Sequence, residues 1–573
     1  MDSANRSQKQ WSRRSLLALF GALPATLGLA ACTRRADLPV DAAPTTTGAA
    51  LAATARPAAT AAPAAAPTVS SAPTAVPAAA GKTGGTITGA AQNDWVTFDN
   101  PYNTAEGTVH YMIYDPLLFF APDSSGRWVP QPGLIEQWEF SGTTGTLHLR
   151  QGVKFHDGSD WNADLLQWNF QRMLSDPKSQ AKGVLVGVDT QNPITVVDPY
   201  TARLNLTQPS AALPEQMTSV LTMPISRAAF EKLGADQYAR NPVGTGPFKF
   251  VEWKPSDHVT LQRNENYWMK DAAGKPLPYL DGLTYRLIID DSVRLVELKS
   301  GNIDFTELIQ GKDLPDVQNA ASLNLVDGAW CGNAYRLIFN SQGGPFANNL
   351  KLRQAALYAI DRETIAQTLG QGVGTPSKFL LLPGSLGYDE SLPYYWYDLD
   401  KARGLMNDAG YSGGVDVTFT VISRELDQLQ AQIIKQMWEQ IGIRAEIDVL
   451  ERAAWTQRLL TGGGEFHVAS MRNPSNAGDP DPPYRTFFWS RGSFNVAHLN
   501  NPDMEAALDK GSTSYDTAQR EAAYKDVQKL DFNLAYYGYV WMQRWNWAMN
   551  KRVQGFPPSM TNGWNFRAVS VSA

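Results

Sequence analysis

The sequence predicts an α/β protein built from more than one lobe, and three observations carry that prediction. The chain has 573 residues, more than a single hydrophobic core organises. Residues 415–450 read as strand, helix, strand. Residues 84–330 read instead as short strands separated by turns, so the two stretches have different textures.

Taken in order, the chain begins with an address. Residues 1–14 carry Arg6, Lys9, Arg13 and Arg14 against one acid, Asp2, and an apolar run from Leu16 to Ala31 follows, broken by Pro24. At about 16 residues the run is short of the roughly 20 that cross a bilayer, so 1–31 is expected to be a signal peptide. Ser12-Arg13-Arg14-Ser15-Leu16-Leu17 resembles a twin-arginine export motif, with Sec export as the alternative. Leu29-Ala30-Ala31-Cys32 resembles a bacterial lipobox. A lipid on Cys32 would hold the exported chain at the outer face of a cell membrane without spanning it. Residues 36–80 are almost all Ala, Pro, Thr and Ser, with no aromatic. Such a segment cannot bury enough surface to offset chain entropy, so 32–83 is expected to be a disordered tether reaching ~35–40 Å, or a glycosylated stalk.

In the first stretch of the body, Thr146–Arg150 and Val153–Gly158 read as two strands with glycine turns. Asn162 is placed to cap a helix whose buried stripe is Leu165, Leu166, Phe170 and Met173. His156 beside Asp157 is expected to be an exposed turn histidine rather than a catalytic dyad. In the second stretch, Val415, Val417, Phe419 and Val421 alternate with polar residues, and Ile443, Ala445, Ile447 and Val449 do so again. Between them Leu429, Ile433, Ile434, Met437 and Ile441 recur at helical spacing, with Gly442 at the helix end. This is a βαβ unit, with a right-handed crossover. Further helices are expected through Leu352–Ile360 and Asp400–Ala409.

Composition excludes more than it nominates. A formal charge of −6 argues against a general nucleic-acid binder. Cys32 and Cys331 are the two cysteines, too few for a disulfide framework, and Cys331 reads as a small packed side chain. The six histidines show no HExxH pairing, and the chain lacks a Walker sequence, a GxSxG elbow and a dinucleotide fingerprint. The run Gly370–Gly374 and the triplet Gly462–Gly464 read as loops, and Asp479-Pro480-Asp481 as a rigid loop rather than a calcium site. No cofactor, metal or catalytic set is implied.

Four segments carry a resemblance. Leu134-Ile135-Glu136-Gln137-Trp138 precedes Arg150–Gly158; Gly244-Thr245-Gly246-Pro247-Phe248 precedes Arg263–Trp268; Leu352–Ala355 precedes Ala359–Arg362; and Asp400–Arg403 precedes Ala409-Gly410-Tyr411. Together they resemble the family 5 extracellular solute-binding proteins of ABC importers, the oligopeptide, dipeptide and nickel type. The resemblance implies a two-lobed periplasmic-binding-protein type II fold, with a domain inserted in lobe I and a ligand cleft between the lobes. It places lobe I at 84–115, 240–330 and 539–573, the inserted domain at 116–239 and lobe II at 331–538. The chain would cross between lobes near Trp330–Tyr335 and Tyr537–Trp541. It further implies a monomer that is not an enzyme, closes on a solute and delivers it to an ABC permease.

The same resemblance places Asn476 where peptide-binding members carry an Asp that pairs with the ligand ammonium. Pro474 removes a backbone donor nearby. Peptide remains the leading solute, with Arg424, Arg458 and Arg472 as candidate carboxylate clamps. Asp479 and Trp95 complete the expected ligand set. Seventeen tryptophans, with Trp541 and Trp455 near family contact positions, make an oligosaccharide the alternative. An exported hydrolase and a non-transport surface receptor are further alternatives.

Overall fold

A computed structural model describes residues 83–573 except 104–106, 125–126, 462–465, 477, 557–565 and 573. All of these fall in one compact unit, 64–573. The expected signal peptide, twin-arginine motif, lipidated Cys32 and the tether as far as residue 82 lie outside the described residues, as does the Gly462–Gly464 turn. No helix among the described residues is long and apolar enough to cross a membrane.

One 11-stranded mixed sheet runs through the body. Its order is Ile443–Leu450, Val415–Ile422, Val468–Asn476, Leu323–Phe339, Tyr537–Asn550, Phe305–Glu307, Thr86–Ala91, Gly282–Leu287, His258–Arg263 and Phe248–Lys254, with Gly374–Pro376 attached beside Tyr537–Asn550. The βαβ unit forms as its alternation predicts. Val415–Ile422 and Ile443–Leu450 are parallel and in register from Val415↔Ile443 to Ile422↔Leu450. Gly442 takes φ +85°, open at no cost only to a residue without Cβ.

The helix between those strands, Glu425–Glu439, turns a different face inward than its apolar spacing predicts. Asp427, Gln430, Ala431, Ile434 and Trp438 are buried, whereas Leu429 is 44% exposed and Ile433 and Met437 are half-buried. Polar partners decide the rotation. Gln430 accepts from the Trp541 indole (2.8 Å) and donates to Ser470 (3.1 Å), so this helix face docks on the sheet through its amide.

In the N-terminal stretch, Thr144–Leu149 joins a separate four-stranded sheet with Ile135–Ser141, Ile194–Asp198 and Thr201–Asn205. Asn162 caps the Ala163–Ser175 helix by accepting from the Leu165 amide (3.0 Å), and the expected stripe of Leu165, Leu166, Phe170 and Met173 is buried. The expected strand at Val153–Gly158 is instead a tight turn, in which Phe155 N–H donates to the Ser159 carbonyl (2.8 Å) and Gly158 N–H donates to the Phe155 carbonyl (2.9 Å). His156 is not an exposed turn residue. Its amide donates to Gly244 O (2.8 Å) and its Nε2 lies 3.0 Å from Gly246 O. Burial pushes its pKa down to about 4, so the ring is neutral near pH 7. Asp157 bonds Ser159 and Ser226 rather than His156. The Gly244-Thr245-Gly246 motif acquires a packing reason: a Cβ on Gly244 would stand 2.1 Å from Ile113 O, and Gly246 N–H donates to that same carbonyl (2.9 Å).

Three large apolar cores form among the described residues, with smaller clusters beside them. One draws on residues from Tyr335 to Trp541 and contains the βαβ unit. A second gathers Ile87–Tyr114, Met223–Phe305 and Trp547–Val571. A third, from Leu117 to Met217, lies under the four-stranded sheet. The long strands Leu323–Phe339 and Tyr537–Asn550 pair antiparallel and connect the first two cores. Their register shifts between Gly328, opposite Trp545, and Gly332, opposite Arg544; extra residues on one strand of a pair bend it locally. Tyr537, Tyr539, Val540 and Trp541 contribute to the first of these cores and Trp547 to the second.

Candidate functional site

The carboxyl ends of parallel strands open a sheet edge where following loops and helix starts converge, the usual place for a ligand in such folds. Here the Val415–Ile422 strand delivers Arg424 two residues past its end, and the following helix delivers Asp427 in its first turn. Val468–Asn476, parallel to that strand, contributes Arg472, which stands opposite Tyr335 of the crossing strand.

These side chains form a polar cluster with unusually little internal pairing. Arg424 Nη1 lies 3.8 Å from Asp427 Oδ2, beyond hydrogen-bond reach. Among the described residues, both oxygens of Asp427, Arg424 Nη1 and the Tyr335 hydroxyl are buried without a well-formed hydrogen bond, the Tyr335 hydroxyl lying close to Arg472. Buried polar atoms are nearly always bonded, so a cluster of such atoms marks a place for a polar partner. Burial raises the Asp427 pKa, with Arg424 and then Arg472 pulling it back. Burial also lowers Arg424, and the charges of Arg472 and Arg452 add to that, opposed by Asp427. Arg424 and Arg472 both act on the Asp427 carboxylate and Arg452 adds its charge beside Arg424, so guanidiniums outnumber carboxylates in this set, which suits an anionic group.

Beneath the cluster lies a rigid floor. Tyr335 stacks on Trp541 with ring centroids 4.5 Å apart and planes 7° from parallel. Trp541 in turn holds Gln430, which holds Ser470. Trp541 is fully buried and Trp455 is 2% exposed, so both occupy core positions rather than open stacking platforms. Trp95 is likewise buried, edge-on to Tyr285 (6.3 Å) in the core of Ile87–Tyr114.

The remaining expected residues separate. Arg458 is engaged by Asp448. Asp479 is paired with Arg520, whose Nη2 lies 2.8 and 2.7 Å from its two oxygens, and also accepts from the Asp481 amide (3.0 Å). Asn476 is the last residue of its strand, opposite Cys331; its side chain lies outside what is described. Among the described residues no three His, Cys, Asp or Glu side chains group closely enough to hold a metal. Sequence reasoning brings Arg424 and Arg472 together and misses Asp427, Gln430 and Tyr335. The available signal was the pair of polar residues three apart, Asp427 and Gln430, on one face of an otherwise amphipathic helix.

Comparison with known proteins agrees with this architecture. Residues 129–495 match the family described as bacterial extracellular solute-binding proteins, family 5 Middle. Heme-binding protein A of Haemophilus influenzae is 28% identical over 469 residues, covering 76% of this chain and 83% of that protein. Glutathione-binding protein GsiB of Pectobacterium atrosepticum is 29% identical over 475 residues, covering 80% and 88%. The ABC transporter substrate-binding protein CtaP of Listeria monocytogenes has the same fold, with a TM-score of 0.75 at 24% identity over 86% of this chain and all of that one. The chain belongs to the family 5 bacterial extracellular solute-binding proteins, the two-lobed components of ABC import systems that bind peptides or related solutes.

Proposed function

We propose that this protein captures a short peptide bearing at least one free carboxylate and delivers it to an ABC permease. The observation that carries the reading is the Arg424–Arg472 pair, with Arg452 behind it, around buried polar atoms without well-formed hydrogen bonds. A carboxylate fits a guanidinium fork in two bonds at once, roughly twice as strong as neutral pairs. The match to a glutathione-binding relative supports the same solute class, because glutathione is a small peptide with two carboxylates. The burial of Trp541 and Trp455 weighs against sugar stacking on these two rings.

Three large cores support the lobe division proposed from sequence with two adjustments: the last boundary moves past Trp541, and Met223–Tyr238, proposed as part of the inserted domain, packs with Ile87–Tyr114. Closure on solute then requires tighter binding to the closed form than to the open one. The Cys32 lipid and the tether, also proposed, would keep the folded body beside the permease.

Native mass spectrometry of the purified protein, followed by denaturation, tests the solute class. Released masses built from amino-acid increments support the reading; hexose or pentose increments overturn it. At the amine end, Asn476→Asp is expected to raise affinity for free-amine peptides by about tenfold, because an amide becomes a charge-assisted acceptor. Isothermal titration with a peptide and its N-acetylated form checks this, and an equal response to both removes Asn476 from the site.

A further inference from the structure

The inserted domain touches the second lobe through a set of cross-lobe contacts. Ala211 N–H donates to Ser512 O (2.9 Å), Tyr515 OH donates to Gly142 O (2.9 Å), and Tyr515 stacks on Phe140 (5.9 Å). At the centre, the Glu215 carboxylate of the short helix Leu213–Gln216 accepts from the Asp479 amide. A cavity of about 380 Å³ borders this junction. It is lined from one side by Asp123, Arg127 and Glu215, and from the other by Asp479 and Arg520.

Among the described residues Glu215 has no ion-pair partner, although the Arg520 charge acts on it and opposes the rise in its pKa. Arg520 holds both oxygens of Asp479, and Arg127 lies 3.7 Å from Asp123. The nearby Asp481 is held by Arg485 (3.0 Å) and by Tyr524 (2.7 Å). Glu215 is therefore a surplus carboxylate, enclosed against a second carboxylate, with its accessible face turned to the cavity. We propose that Glu215 is a proton-linked latch: lobe closure traps it beside Asp479, so the closed form takes up a proton that the open form releases.

A neutral Glu215 still offers its carbonyl oxygen to the Asp479 amide, so the proton removes the repulsion and keeps the bond. In this closed arrangement burial, and next the Asp479 charge, push the Glu215 carboxyl from an ordinary 4.5 up to about 8. The sign follows: a group whose pKa is higher in the closed form favours closure at low pH, and that favour is lost as pH rises towards 8. The latch rests on lobe closure and not on which solute is bound.

The test uses the full chain without solute. Ala211→Cys with Ser512→Cys provides a disulfide that forms only when the lobes meet, and its rate samples even a rare closed form. Each rate is divided by the rate in a Glu215→Gln background at the same pH, which cancels the pH dependence of the thiols. The ratio is expected to fall about 50-fold between pH 6 and pH 8. A constant ratio overturns the proposal. So does loss of the slope on Asp123→Asn, a cavity-lining acid outside the cross-lobe bond, because the proton would then belong to that group.

Discussion

Arg424→Ala and Arg472→Ala are each expected to weaken binding of a peptide with a free carboxylate by about 30-fold to several thousand-fold. Truncating one member of a buried, hydrogen-bonded charge pair costs about 2–5 kcal/mol, and every 1.4 kcal/mol is tenfold in affinity. The loss has to be specific to charge. A C-terminally amidated peptide, which offers no anion, is expected to bind wild type and variants within a fewfold of each other. Arg458→Ala supplies the internal comparison. Its guanidinium is already engaged by Asp448 and its side chain is 38% exposed, so its removal is expected to change affinity less than threefold, in the range of surface pairs. Calorimetric titration of the three variants with both peptides decides the matter. Equal losses for the free and amidated peptides would show that the arginines shape the site without holding a carboxylate.

That pair also shows what was readable before the fold was known. The sequence nominates both arginines as carboxylate clamps, but they stand 48 positions apart and meet only because Val468–Asn476 pairs parallel with Val415–Ile422, a contact outside the βαβ unit. Asp427 and Gln430 were not readable in the same way. An acid in the first turn of a helix normally faces solvent near the positive end of the dipole. Only the tertiary partners, Ser470 and Trp541, turn that face inward. The Val153–Gly158 strand failed for a similar reason. Its alternation is real, but the backbone is claimed by Gly244, almost 90 residues later in the chain, and no local signal announces such a partner. Glu215 was invisible because its character comes from an interface: a short helix in one domain meets an amide in another.

Trp541→Ala is expected to destabilise the protein even when no solute is present, by about 3–5 kcal/mol. The reasoning separates a core residue from a ligand platform. A tryptophan that waits in an open cleft is partly hydrated in the free protein, so its truncation mainly weakens binding. Trp541 has no exposed surface, stacks on Tyr335 and donates its indole N–H to Gln430. Its removal leaves a cavity, frees the Tyr335 ring and orphans a buried amide, and an unsatisfied buried group adds about 1–3 kcal/mol. Urea denaturation of the solute-free protein measures the effect. Trp541→Phe separates its parts, since it keeps an aromatic ring over Tyr335 while losing the indole hydrogen bond and some buried volume, for about 1–3 kcal/mol. Tyr335 and Gln430 form the floor under the arginine cluster, so affinity is expected to fall in Trp541→Ala and to survive largely in Trp541→Phe. Unchanged stability of solute-free Trp541→Ala, with affinity lost, would return Trp541 to the ligand surface.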